Sequence, residues 1–294
     1  MSVLTTTPMT LVPAAAAGIT VVASATPWAS GSWVELIAAT GAATVITGIK
    51  IVPTTSYSGL QCEIAFGVGA AASEVEIGHV RLHGPTTGSA GTAVYMLPVP
   101  ISGIGTGVRV SVRSRSAAAS TSLIVTALVY VSLDSQFTAD YPTAPLSSRP
   151  DGAAGASITP SGTGWANSSW VELDAALAMG VSLVGLAFLN PVADVDIEFE
   201  LGTGGAGAET AVTVLRASTW GASTGPLSYA TLPGPYVVTA GTRLAIRMRK
   251  TGTSTTAYSV AAILLEGVPS AAGRVWVLAG IGGGLANRAR GLAG

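Results

Sequence analysis

Charged residues are scarce in this chain. Of 294 residues only 10% are Asp, Glu, Lys or Arg, against about 25% in an ordinary soluble domain. The 14 basic side chains are balanced by 15 acidic ones. A nucleic-acid interface needs a basic excess or stripe, so no nucleic-acid partner is expected. Aromatic residues are also few, at 6%. One cysteine, Cys62, excludes an intramolecular disulfide framework and a cysteine-cluster zinc site. No run reaches the ~18 apolar residues of a membrane-crossing helix. The best candidate, 275–286, is broken by Gly282, Gly283 and Gly284 and flanked by Arg274 and Arg288, so no membrane span is expected. Residues 1–25 lack a basic start and contain Pro8 and Pro13, which makes a poor signal peptide. Disorder is excluded too, because 49% of the chain is apolar and the net charge is −1.

What the chain does contain is repetition. Trp28-Ala29-Ser30-Gly31-Ser32-Trp33-Val34-Glu35-Leu36 is echoed by Trp165-Ala166-Asn167-Ser168-Ser169-Trp170-Val171-Glu172-Leu173, 137 residues on (33 to 170). Glu63 to Gly69 matches Glu198 to Gly204, and Arg81 matches Arg216, both at 135. The run Arg109 to Arg115 answers Arg243 to Arg249 at 134. Drifts of one or two residues are what loop insertions produce. An internal duplication is the simplest source of this order.

Within each copy the period is two. Leu244, Ile246 and Met248 alternate with Arg243, Arg247 and Arg249, and Ile197, Phe199 and Leu201 alternate with Asp196, Glu198 and Glu200. That alternation predicts half-buried antiparallel strands. In the first copy they are expected at 33–37, 44–52, 61–67, 75–82, 92–97, 107–115 and 122–131, with Pro98 and Pro100 ending the fifth. The fold class is therefore all-β: two tandem antiparallel β-sandwich, jelly-roll-like domains from an internal duplication, with a short extended C-terminal tail. The expected boundaries are an N-terminal arm at 1–17, repeat one at 18–133 and a Pro/Gly linker at 134–156. Repeat two follows at 157–268, then a C-terminal docking tail at 269–294.

Enzyme chemistry finds little to stand on. His79 and His83, the only histidines, could begin a metal site. However, Gly84 and Pro85 are expected to end the strand before His83, and a third zinc ligand is missing. Both read as surface or loop histidines, and no metal or cofactor is expected. Asp194, Asp196, Glu198 and Glu200 lie on one face of one strand. A solvated face, or the partner of an arginine row on a neighbouring strand, suits that spacing better than calcium ligation or a glycosidase cleft. Gly202 to Gly207 satisfies G-x-G-x-x-G, but a strand rather than a helix follows, so it reads as an inter-strand loop. Cys62 reads as a buried structural cysteine. The second repeat contains no histidine to activate a serine, and the chain is expected not to be an enzyme.

The repeated residues are the candidates for structure and contact. Trp33 and Trp170 are expected to anchor a strand in each core, with Glu35 and Glu172 two residues on along the same face. For Trp28 and Trp165, packing is preferred over sugar stacking. Arg109, Arg113, Arg115, Arg243, Arg247 and Arg249 form two basic rows and are candidate interface residues. They could pair with acidic rows within a domain or between copies. Arg274 and Trp276 of the tail join them as docking residues. So few charged side chains leave a weakly hydrated surface, which is expected to be covered by partners.

The runs Pro27-Trp28 to Leu36 and Gly67-Val68-Gly69-Ala70 to Glu74, with the late arginine-rich strand, resemble β-sandwich domains of tailed-bacteriophage virion proteins. The resemblance covers both repeats and implies a non-enzymatic structural role in a virion assembled in the host cytoplasm. Capsid decoration, a spike, or a tail or adsorption component would each fit. The partners would be other copies, as a trimer or higher oligomer, and other virion proteins. The alternative is a carbohydrate-binding adhesin or host-receptor-binding module that holds a surface glycan through loop aromatics such as Tyr57, Trp220 and Tyr229.

Overall fold

The computed structural model describes residues 10–13, 18–54, 61–83, 93–132, 146–189, 195–219 and 228–267. All regular structure among them is β. The first half contains β1 (Thr10–Val12), β2 (Ile19–Val22), β3 (Val34–Ile37), β4 (Ala43–Pro53) and β5 (Gln61–Val68). It continues with β6 (Val75–His83), β7 (Ala93–Ile104), β8 (Val110–Ser116) and β9 (Ser122–Ser132). The second half contains β10 (Leu146–Arg149), β11 (Ala156–Ile158), β12 (Val171–Asp174), β13 (Val181–Leu189) and β14 (Val195–Thr203). It ends with β15 (Thr210–Thr219), β16 (Ser228–Val238), β17 (Leu244–Lys250) and β18 (Tyr258–Glu266).

In the first half the strands run β2-β9-β4-β7 in one sheet, with β1 also on β9, and β3-β8-β5-β6 in the other. In the second they run β11-β18-β13-β16, with β10 also on β18, and β12-β17-β14-β15. Each half is thus a sandwich in which the chain alternates between sheets in the double Greek-key order of a jelly roll. Among the described residues every pairing is antiparallel except one parallel contact, Leu146 beside Gly78, which merges two of the four sheets into a nine-stranded one.

Alternation places the core as expected. Ile64, Phe66, Val110 and Val112 face Ile46, Ile49 and Val125 in the first half. Ile197, Phe199, Leu201, Ile246 and Met248 face Leu186, Phe188 and Val260 in the second. Phe188 and Phe199 meet with ring centroids 5.0 Å apart. Each such side chain contributes roughly 1.5–3 kcal/mol by leaving water. Val184 and Ile263 of the second half pack into the first core, so the halves share apolar surface.

Some expectations change. β7 runs on through Pro98 and Pro100, and β16 through Pro233 and Pro235. Both are edge strands, where a missing N–H removes no ladder bond, and each bulges there: Gly48 and Ile46 face Met96 and Ile101. β6 includes His83, beyond the expected end of that strand. β10 lies inside the stretch 134–156 expected to be a linker, and β11 starts at its last residue. The tail with Arg274 and Trp276, most of the N-terminal arm, and 134–145 lie outside the described residues.

Candidate functional site

β8 and β17 run through the middle of their sheets, and their valine, leucine and methionine side chains enter the core. Period two then sends every arginine to the outer face. Arg109 Nε and Nη1 reach Glu35 and Glu74 at 2.9 and 2.6 Å. Their counterparts Arg243, Glu172 and Glu209 meet at 2.8 and 2.7 Å. The hydrogen bond from Arg109 holds the Glu74 carboxyl below the usual carboxylate range. Arg113 donates to Glu76 at 2.8 Å, and Arg247 to Glu200 at 2.6 Å. Glu198 on β14 pairs with Arg249 of β17 on one side and Arg216 of β15 on the other. Glu198 and Glu200 of the acidic stripe are therefore partners of arginines on neighbouring strands. Asp194 lies outside the described residues.

Trp33 and Trp170 do not anchor the cores, which corrects the expectation drawn from their size. Both are half-buried on the outer face, sandwiched between a guanidinium and a glycine. Arg113 lies 4.3 Å from the Trp33 ring and Arg247 4.5 Å from that of Trp170. A Cβ at Gly67 would come within 2.8 Å of Trp33, and one at Gly202 within 2.6 Å of Trp170. Glycine is needed at both positions to seat the indole. Glu35 and Glu172 share that outer face and are exposed, and the motif reaches the core through Leu36 and Leu173 instead.

A second polar cluster forms where the halves meet, and sequence reasoning missed it. His79 is only 4% exposed, not a surface residue, because β10 lies over it. Its Nε2 accepts the Ser148 backbone N–H at 3.0 Å, and its Nδ1 bonds Glu76 at 2.8 Å. Glu63 is wholly buried and receives Arg81 at 2.6 Å and the Ser148 hydroxyl at 2.8 Å, with Arg115 at 3.2 Å. Arg81 also donates to the Pro150 carbonyl at 2.8 Å, and Arg115 meets Asp151 at 2.9 Å. Burial pushes the Glu76 carboxyl up, but the His79 hydrogen bond with Arg113 and Arg115 outweighs it and holds the group at about 2. A cavity of about 220 Å³ opens beside Glu76, His79, Arg149 and Asp151.

Glu63, His79 and Asp151 bring three potential ligand atoms within 4.8 Å of one another. A cation there would compete with two guanidiniums for Glu63 and with a main-chain N–H for Nε2. The arrangement is that of a closed ion-pair joint. The side chain of His83 lies outside the described residues, as do Trp220, Tyr57 and the side chain of Tyr229. Cys62 is buried on β5, and burial with the neighbouring Glu63 charge pushes its thiol up to about 12. The Gly202–Gly207 run forms the end of β14 and a turn into β15, not a strand-to-helix loop. Among the described residues no helix is long and apolar enough to cross a membrane.

No protein-family model matches the sequence, and no curated protein is significantly similar to it. Among solved structures, the chain is similar to one of broad bean stain virus, at 12% identity and TM-score 0.31, over 90% of each chain. It is similar to the insecticidal delta-endotoxin Cry8Ea1 from Bacillus thuringiensis at 12% identity and TM-score 0.27, over 76% of this chain and about half (52%) of that one. Against a chain of infectious bursal disease virus, Gx strain, the values are 12% and 0.25, over 78% and 58%. At scores this low no common role is implied.

Proposed function

We propose that the chain is a non-enzymatic structural subunit, made of two duplicated jelly-roll modules, that acts through contacts with other copies and with other components of a tailed-bacteriophage virion. The observation that carries this reading is the state of the polar groups. The arginines of both rows and the carboxylates they face are committed to ion pairs within the fold, and the acids and histidine beside the cavity at the junction are held in the same way. The surface supports it as well. Leu11, Val22, Val75, Met96, Val214 and Val237 are large apolar side chains left exposed, on a chain with too little charge to keep such patches apart. The arginine rows pair within their own sheets on the outer face, and these apolar positions join them as candidate contacts. Light scattering across a concentration series, with co-sedimentation on particles lacking this protein, tests the reading. Assembly and particle binding are expected. A monomer at every concentration that ignores particles would overturn it.

A further inference from the structure

The joint between the halves has two surfaces, and each occurs a second time, unjoined among the described residues. The nine-stranded sheet is a four-stranded piece, β3-β8-β5-β6, abutting a five-stranded piece carrying β10, β11, β18, β13 and β16. The other two sheets are the same pieces apart. The four-stranded sheet β12-β17-β14-β15 ends in β15, the counterpart of β6, and the five-stranded sheet ends in β1, the counterpart of β10. Registers agree, since Leu11 lies opposite Leu128 on β9 as Ser148 lies opposite Ile263 on β18. β15 is 10 residues long and contains no proline, and among the described residues it pairs only with β14. Such an edge is a template for another strand.

The side chains follow the same logic. In the closed joint Ser148 sits on His79 and Glu63. At the open surfaces Leu11 stands in place of Ser148, and Val214 in place of His79. They are 46% and 48% exposed. A polar pair inside the chain is thus replaced at both ends by an apolar one. Around it, Glu198, Arg216 and Arg249 repeat Glu63, Arg81 and Arg115. The Arg81 side chain is 0% exposed under β10, whereas that of Arg216 is 76% exposed.

We infer that β15 of one copy receives β1 of a second, completing a nine-stranded sheet between chains. Leu11 of the second copy packs on Val214, and Arg216 donates to the Pro13 carbonyl as Arg81 does to that of Pro150. The contact is head-to-tail, so copies close into a ring or run on as a filament. The inference deepens the structural reading above and rests on it.

The test uses the full chain with Leu11→Cys and Val214→Cys together, and Leu11→Cys with Val75→Cys as control. Mild oxidation is expected to give a ladder of disulfide-linked species from the first pair and not from the second. Leu11→Asp or Val214→Asp, each with an unchanged melting temperature, is expected to abolish concentration-dependent association, while deletion of 268–294 leaves it intact. The joint is overturned if both pairs cross-link equally, if neither charge affects association, or if removing 268–294 abolishes it and so names the tail as the occupant. Association without the Leu11–Val214 link sinks this joint alone, whereas a chain monomeric at all concentrations sinks the structural reading with it.

Discussion

Replacing Glu63 by alanine separates buried from open versions of one ion-pair cluster. Glu63 and the Arg81 side chain are both 0% exposed. The change removes the buried carboxylate that Arg81 and Arg115 share under β10, while Arg115 keeps Asp151. Removing one partner of a buried pair costs about 3–5 kcal/mol, because the stranded charge stays desolvated. Glu198→Ala removes the equivalent carboxylate in the second half, but there the Arg216 and Arg249 side chains are 76% and 35% exposed and water replaces it. That loss should be about 1 kcal/mol or less. Urea unfolding followed by tryptophan fluorescence measures both, since urea does not screen ion pairs as a guanidinium salt does. If Glu63→Ala does not fold, Glu63→Gln, which keeps an acceptor for Ser148, gives the same ordering on a smaller scale. Equal losses, or a larger one at Glu198, would refute the claim that β10 seals the first cluster.

Acid should weaken the fold in a defined window. Glu76 has its carboxyl lowered from 4.5 to about 2 in the folded state, so its contribution is complete above about pH 4.5 and is lost as pH falls toward 2. Solvent screens this partly exposed carboxylate, so its contribution is on the order of 1–2 kcal/mol, and Glu76→Gln should flatten the stability profile across that range. Gly202→Ala should cost roughly 1–3 kcal/mol by overpacking against Trp170 and shift tryptophan emission to the red; an unchanged spectrum and stability would contradict the stacking geometry. Phe199→Ala, at a fully buried site, should cost about 3–5 kcal/mol, and a loss below about 1 would deny the second core its centre.

Much of the fold was legible because alternation is a local property. Ile197, Phe199 and Leu201 against Glu198 and Glu200 announce both a strand and its faces, and the arginine rows announce their partners. Trp33 misled because bulk suggests burial, whereas its two-residue spacing from exposed Glu35 already placed it outside. The junction was invisible for a different reason. His79 is covered by Ser148, distant in sequence, through a four-residue strand whose Ser and Arg content gives no strand signal. Likewise the prolines of β7 read as a stop only until the strand is known to lie at an edge.

The most direct measurement is a cryo-electron microscopy map of the protein in its associated form, read at the contact between copies. The expected density shows β15 of one chain beside β1 of the next in an unbroken sheet, with Leu11 seated on Val214. Density in which the β15 edge faces solvent, or is filled by any other segment, would contradict the account.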